Sequence, residues 1–160
     1  MAKTVFYSFH YDQDVMRVQL VQKIGAITGE PVLNAQDWES TRQKSKATIQ
    51  QWIDDQMKYK SAVVVLIGSK TASRPWVKYE IERAWSLKRP MLGIYIHGIS
   101  RAGSTDSKGA NPFDAAEGVS GITVFDPTVN DYAGRIDSKA TYAKLAQNLE
   151  SWAGQGRVRL

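Results

Sequence analysis

An α/β fold built on a five-stranded parallel sheet is the architecture that this sequence predicts. Three observations predict it. Short β-branched or aromatic runs alternate along the chain with longer segments of helical periodicity. The run Ala62-Val-Val-Val-Leu-Ile67 is apolar without interruption, as a parallel strand covered on both faces must be. After it come Gly68-Ser-Lys70 and then Pro75, whose fixed φ suits the first turn of a helix.

The elements follow in order. Lys3–His10, rich in β-branched and aromatic residues, reads as the first strand. Asp12 or Asp14 is placed to cap a helix in which Met16, Leu20, Ile24 and Ile27 recur at helical spacing. Val18 and Val21 lie beside that stripe, and Gly25 or Gly29 can end the helix. Pro31–Asn34 reads as a short second strand, and Gln36–Arg42 as a polar loop carrying Trp38. A second helix is expected from Ser45 to Lys58, with Ile49, Trp52, Ile53 and Met57 on one face. Trp38 and Trp52 are assigned to the core.

The third strand is Ala62–Ile67 and the third helix Trp76–Leu87. In that helix Val77, Ile81, Ala84 and Lys88 form one stripe, and Trp76, Glu80, Arg83 and Leu87 the neighbouring one. Glu80 therefore falls at the margin of the packed face, while Glu82, roughly 200° around the axis, faces water. Met91–Ile96 is a fourth strand, ending at His97-Gly98. Residues 100–121 form a long loop rich in Gly, Ser, Ala and Asp, with few apolar anchors, of a length that marks a functional or mobile segment. Ile122–Phe125 is a fifth strand and Thr141–Trp152 the last helix. This pattern suggests a single domain over residues 1–160 with the flavodoxin-like strand order 2-1-3-4-5. Ligands in such sheets bind beyond the carboxyl ends of the strands, where the order reverses. Ser8–Asp12, Gly68–Trp76 and His97–Gly98 gather there, with Glu80 within reach.

Composition removes several chemistries. The chain has 160 residues, no cysteine and only two histidines, His10 and His97. Disulfides, thiolate catalysis, zinc–thiolate sites and a His-rich metal cluster are excluded. No metal is expected, and no resident cofactor either. No apolar run approaches a membrane span, and no signal-peptide pattern opens the chain, so a cytoplasmic protein is expected. The net charge of +5 is uneven: residues 42–89 hold eleven Lys/Arg against four Asp/Glu. No basic–aromatic motif turns this into a nucleic-acid site, and a solvated lysine face is the simpler account.

The expected crevice also lacks the signatures of commoner enzymes. A phospho-receiver needs an acceptor Asp after the third strand, where Gly68-Ser-Lys70 stands. A phosphate-binding loop needs an upstream glycine that is absent, and no Rossmann fingerprint or nucleophile elbow occurs. Two-carboxylate glycosidase chemistry leaves Glu80 without an obvious partner, save Asp12, Asp37 or Asp114 from loops. One reaction needs a single carboxylate. The nicotinamide–ribose bond of NAD carries a leaving group that departs neutral without a general acid, so what needs stabilising is the cationic ribose.

Three stretches bear a resemblance to a known family. They are Lys3-Thr-Val-Phe-Tyr-Ser-Phe-His-Tyr11; Val65-Leu-Ile-Gly-Ser69 followed by Arg74-x-Trp-Val-x-Tyr-Glu-Ile81; and Ser107-Lys-Gly-x-Asn-Pro-Phe-Asp114. The chain resembles TIR domains, and most closely the bacterial TIR-like branch of the ThsB family of the Thoeris anti-phage system. The resemblance implies a TIR fold that cleaves NAD+ as substrate and makes a cyclic ADP-ribose isomer or a related ADP-ribose signal. That diffusible nucleotide would activate a separate effector after a phage-derived trigger, a protein being one candidate. Glu80 would be the catalytic glutamate, with Phe9, His10, Tyr11, Ser69, Trp76 and Asn111 as substrate contacts. No nucleic-acid or membrane partner is implied, and a homo-oligomer is left open. Simpler roles stand beside these: Glu80 as a surface partner of Arg83, Trp76 as packing, His10 as a strand-end histidine, and Asn111 as the Asx turn before Pro112. A non-catalytic TIR interaction module is the alternative function. Residues 115–160 match no motif of the family.

Overall fold

A computed structural model describes residues 3–24, 27–29, 44–58, 60–101 and 103–159. The order is β1 (Lys3–Ser8), α1 (Tyr11–Lys23), β2 (Ile27–Gly29), α2 (Lys46–Met57), β3 (Ala62–Ile67), α3 (Pro75–Ser86), β4 (Met91–Tyr95), β5 (Val124–Phe125) and α4 (Ser138–Ala153). Short 3-10 turns stand at Thr71–Ser73 and Pro112–Ala115. The chain is an α/β protein with a parallel sheet flanked by helices, and the strands run β2-β1-β3-β4-β5. Among the described residues four strands have three or more residues; the fifth is only the pair Val124–Phe125 at the edge, shorter than the expected Ile122–Phe125.

Strand alternation divides the core. Along β1 and β3, Val5, Tyr7, Val64 and Leu66 face α1 and α4, where they meet Val18, Val21, Leu145 and Leu149. Phe6, Val63, Val65 and Ile67 face α2 and α3, where they meet Ile49, Ile53, Val77 and Ile81. Every residue of β3 is buried, which is why that strand reads as a continuous apolar run and not as an alternation.

Helix starts follow local chemistry. The Ser45 hydroxyl accepts from Thr48 N–H at 3.2 Å and caps α2, and Asp137 caps α4 by accepting from Ala140 N–H at 3.0 Å. Pro75 is the first residue of α3, where its missing N–H costs nothing.

The Pro31–Asn34 strand, the Gln36–Arg42 loop, Trp38 and Asp37 lie outside the described residues. Several other expectations are corrected. Ile27 does not continue the first helix, which ends at Lys23; it opens the strand beside β1, Ile27–Gly29. β1 stops at Ser8, and α1 begins at Tyr11 with neither aspartate as its N-cap residue, which is His10. Met16 is 44% exposed, because α1 turns Asp14, Arg17, Val18 and Val21 inward instead. Lys88 does not continue the buried stripe of α3: the helix ends at Ser86, and Lys88 turns away, exposed, at φ 57. Trp52 is half-buried against the core and not within it. The long loop is better anchored than its composition suggests, since Pro112, Phe113 and Ala116 are all buried.

Candidate active site

Glu80 occupies a position that its sequence spacing understates. It is 9% exposed and not half-open at the helix margin. The cause is local. Ser8 follows Phe6 on the β1 face that α3 covers, and its hydroxyl donates to Glu80 Oε1 at 3.0 Å. Ser8 is itself fully buried. Burial raises the Glu80 pKa from 4.5 to about 8, and the Ser8 hydrogen bond draws it back only in part. The alternative pairing with Arg83 is not made: Arg83 Nε donates to Asp54 at 3.0 Å. A buried, near-neutral carboxyl held by one hydroxyl is an unusual group in a helix and a candidate for chemistry.

A second polar cluster fills the carboxyl ends of β1 and β3. Arg17, 3% exposed, donates to the Ile99 carbonyl at 2.8 Å, to Asp14 Oδ1 at 3.2 Å and to the Ser104 carbonyl at 3.2 Å. Asp106 accepts from Ser69 Oγ at 2.6 Å and from Gln13 Nε2 at 3.1 Å. Burial pulls the Asp106 pKa upward. The hydrogen bonds from Ser69, Ser107 and Gln13, with the charge of Arg17, outweigh it and hold the carboxyl below its ordinary value. Two glycines permit this closeness. A Cβ on Gly68 would come within 2.1 Å of Asp14 Oδ2, and one on Gly109 within 2.3 Å of the Gly68 carbonyl. The loop after β4 thus lies directly on the turn after β3.

The residues expected to contact substrate are distributed around these two clusters. Phe9 and Tyr11 stand with ring centroids 6.1 Å apart, and Phe9 packs toward α1 and α4, on the other face of the sheet from Glu80. His10 is half-buried at the start of α1. Ser69 spends its hydroxyl proton on Asp106. Asn111 makes the Asx turn, its Oδ1 accepting from Phe113 N–H at 2.9 Å. Trp76 is half-buried, one turn before Glu80, and its ring meets that of Tyr79 edge-on at 5.7 Å. It lines an open groove between α2 and α3.

Sequence reasoning places Ser8 at the crevice but does not pair it with Glu80; the only signal for that pairing is its register, even-numbered with Phe6 on the face that α3 covers. One contributor is missed outright. Asp106 sits in a loop whose composition gives no hint of a buried arginine beneath it. Among the described residues, no group of His, Asp and Glu is arranged to hold a metal ion, and no helix is long and apolar enough to cross a membrane.

Comparison with known proteins shows the family. The family described as "Thoeris protein ThsB, TIR-like domain" matches residues 6–101, which carry the second half of β1, the third-strand turn, Glu80 and β4. A Bacillus cereus (strain MSX-D12) protein named "Putative cyclic ADP-D-ribose synthase ThsB1" is 36% identical over 121 residues. That alignment covers 71% of this chain and 62% of the Bacillus protein, so the chain spans under two thirds of its curated relative.

Proposed function

The chain belongs to the TIR-like domain family of Thoeris protein ThsB, and from that premise we propose that it cleaves NAD+ and releases a cyclic ADP-ribose-type signal. The observation that carries the proposal is the buried Glu80 held by Ser8 at 3.0 Å. The name of the Bacillus relative supports the product class. NAD+ is the substrate, and no resident cofactor or metal takes part.

The chemistry follows from one carboxylate. The bond between ribose C1′ and the nicotinamide nitrogen breaks, and nicotinamide leaves neutral with the bonding electrons. The positive charge passes to the ribose, and the Glu80 carboxylate stabilises it there. On its own Glu80 is mostly protonated at neutral pH, since its pKa is about 8. A cationic nicotinamide placed beside it favours the ionised form, so the substrate recruits the charge that the reaction needs. Ser8 supplies the donor that keeps the carboxylate oriented. An acceptor on the adenosine half then bonds to C1′ and gives up its proton, for which Glu80 is the base at hand. Cyclisation competes with water only where the acceptor is held in place and water kept out. Phe9, His10, Tyr11, Ser69, Trp76 and Asn111 are the proposed substrate contacts. The product would reach a separate effector by diffusion, and a phage-derived trigger would start the reaction in the cytoplasm.

The test is NAD+ turnover by the purified chain, with and without extract of phage-infected cells. Wild type consumes NAD+ under triggering conditions and Glu80→Ala does not, while Glu82→Ala behaves as wild type. Equal turnover by Glu80→Ala and wild type would remove Glu80 from the chemistry. A chain silent under every trigger would instead be a scaffold.

A further inference from the structure

The groove between α2 and α3 has a volume of about 570 Å3 and is lined by Trp76 but not by Glu80. That size suits a small organic ligand. Two kinds of wall meet in it. One is an aromatic corner, Trp76 against Tyr79 at 85°. Tyr79 cannot swing freely, because its hydroxyl donates to Asp54 at 3.0 Å and Arg83 donates to the same oxygen. The corner is therefore formed before any ligand arrives.

The other wall is cationic. Lys44 and Lys46 come from the start of α2 and Lys78 from the first turn of α3. Both helices begin at this groove, and neither has an acidic residue in its first turn. Their dipoles add positive potential to that of the lysines. Glu82 offsets part of it, lying 4.0 Å from Lys78, but it also accepts from Glu117 N–H at 2.9 Å and is held to that side. A flat aromatic corner beside three ammonium groups matches a ligand with a flat base and an attached polyanion.

We propose that this groove binds a purine nucleoside diphosphate, with the base against Trp76 and Tyr79 and the phosphates on Lys46 and Lys78. The choice of adenosine as the nucleoside rests on the NAD+ reading above; the site itself rests on the groove. Its source is either the adenosine diphosphate half of the substrate or a separate nucleotide.

Calorimetric titration of the full chain with ADP, adenosine and inorganic pyrophosphate tests it. ADP binds more tightly than either fragment. Lys46→Gln/Lys78→Gln weakens ADP at least tenfold, and both positions are exposed, so the fold is kept. Tyr79→Ala weakens ADP and adenosine but not pyrophosphate, and Glu80→Gln retains ADP binding. Competition of ADP with NAD+ cleavage assigns the groove to the substrate's own half; ADP binding without competition assigns it to a second nucleotide. ADP binding that ignores the lysine pair, or wild type that binds no ADP, overturns the proposal, as does hexaglutamate binding as tightly as ADP. If lysine-dependent ADP binding persists in a chain that never cleaves NAD+, the groove stands and the enzymatic reading falls. Cleavage of NAD+ by a chain whose ADP binding ignores the lysine pair gives the reverse.

Discussion

Replacing Glu80 with Gln should stabilise the fold while ending the chemistry. Glu80 has a folded pKa of about 8 against an ordinary value of 4.5. Because the folded value is the higher one, the native state holds the proton more tightly than the unfolded chain. The stability it contributes is full below pH 4.5 and is lost as pH rises through 8. At pH 7 the unfolded carboxyl is ionised while most of the folded one is not, a penalty of about 3 kcal/mol. Glutamine cannot ionise, so the penalty disappears. Its amide NH2 brings a new donor into a buried place, costing about 1–3 kcal/mol at every pH. The pH dependence separates the two effects: the gap between variant and wild type should move by about 3–4 kcal/mol in the variant's favour from pH 5 to pH 8. For a chain of this size that is a shift in relative Tm on the order of 10 °C. Differential scanning fluorimetry of both proteins across pH 5–9 reads it directly. Melting curves that stay parallel would show that Glu80 is ionised and solvated, and would refute a buried neutral carboxyl.

Three further outcomes are expected. Ser8→Ala removes the one donor that lowers the Glu80 pKa, so the rise of kcat/KM with pH, centred near 8 in wild type, should move to higher pH; an unmoved midpoint would make Ser8 mere packing. Trp76→Ala should cost about 2 kcal/mol in urea titration, below the 3–5 kcal/mol of a fully buried ring, because the ring is half-exposed in the groove; a loss above 4 kcal/mol would show it closed over. Asp106→Asn weakens the hold of Gln13, Ser69 and Arg17 on the loop after β4, so amide exchange should accelerate at residues 104–111; unchanged exchange would show that the loop is held without Asp106, by the Arg17–Ser104 contact and the buried Pro112, Phe113 and Ala116.

The sequence reveals the helix and strand core with little error where apolar periodicity decides the matter. Ala62–Ile67 is a strand at its expected bounds, and Ile49, Ile53 and Met57 face inward as spaced. It misleads where a buried polar group replaces an apolar one. Met16 fits the apolar stripe of α1, yet the helix buries Asp14 and Arg17, because the Ile99 and Ser104 carbonyls offer the arginine partners that lie 82 and 87 residues away. The same blindness applies at the candidate site. Proline, tryptophan and glutamate in α3 are visible in order, but the depth of Glu80 depends on Ser8, 72 residues earlier. Asn111 and Ser69 are legible as loop residues near the crevice; that each spends its side chain on a local hydrogen bond is visible only in three dimensions.

The most direct measurement is the mass of what the triggered protein makes from NAD+. Wild type should yield nicotinamide and a product one water lighter than ADP-ribose, and Glu80→Gln, folded and more heat-stable at pH 8, should yield neither. Free ADP-ribose as the dominant wild-type product, or an unchanged product from Glu80→Gln, would contradict a reaction in which Glu80 directs cyclisation.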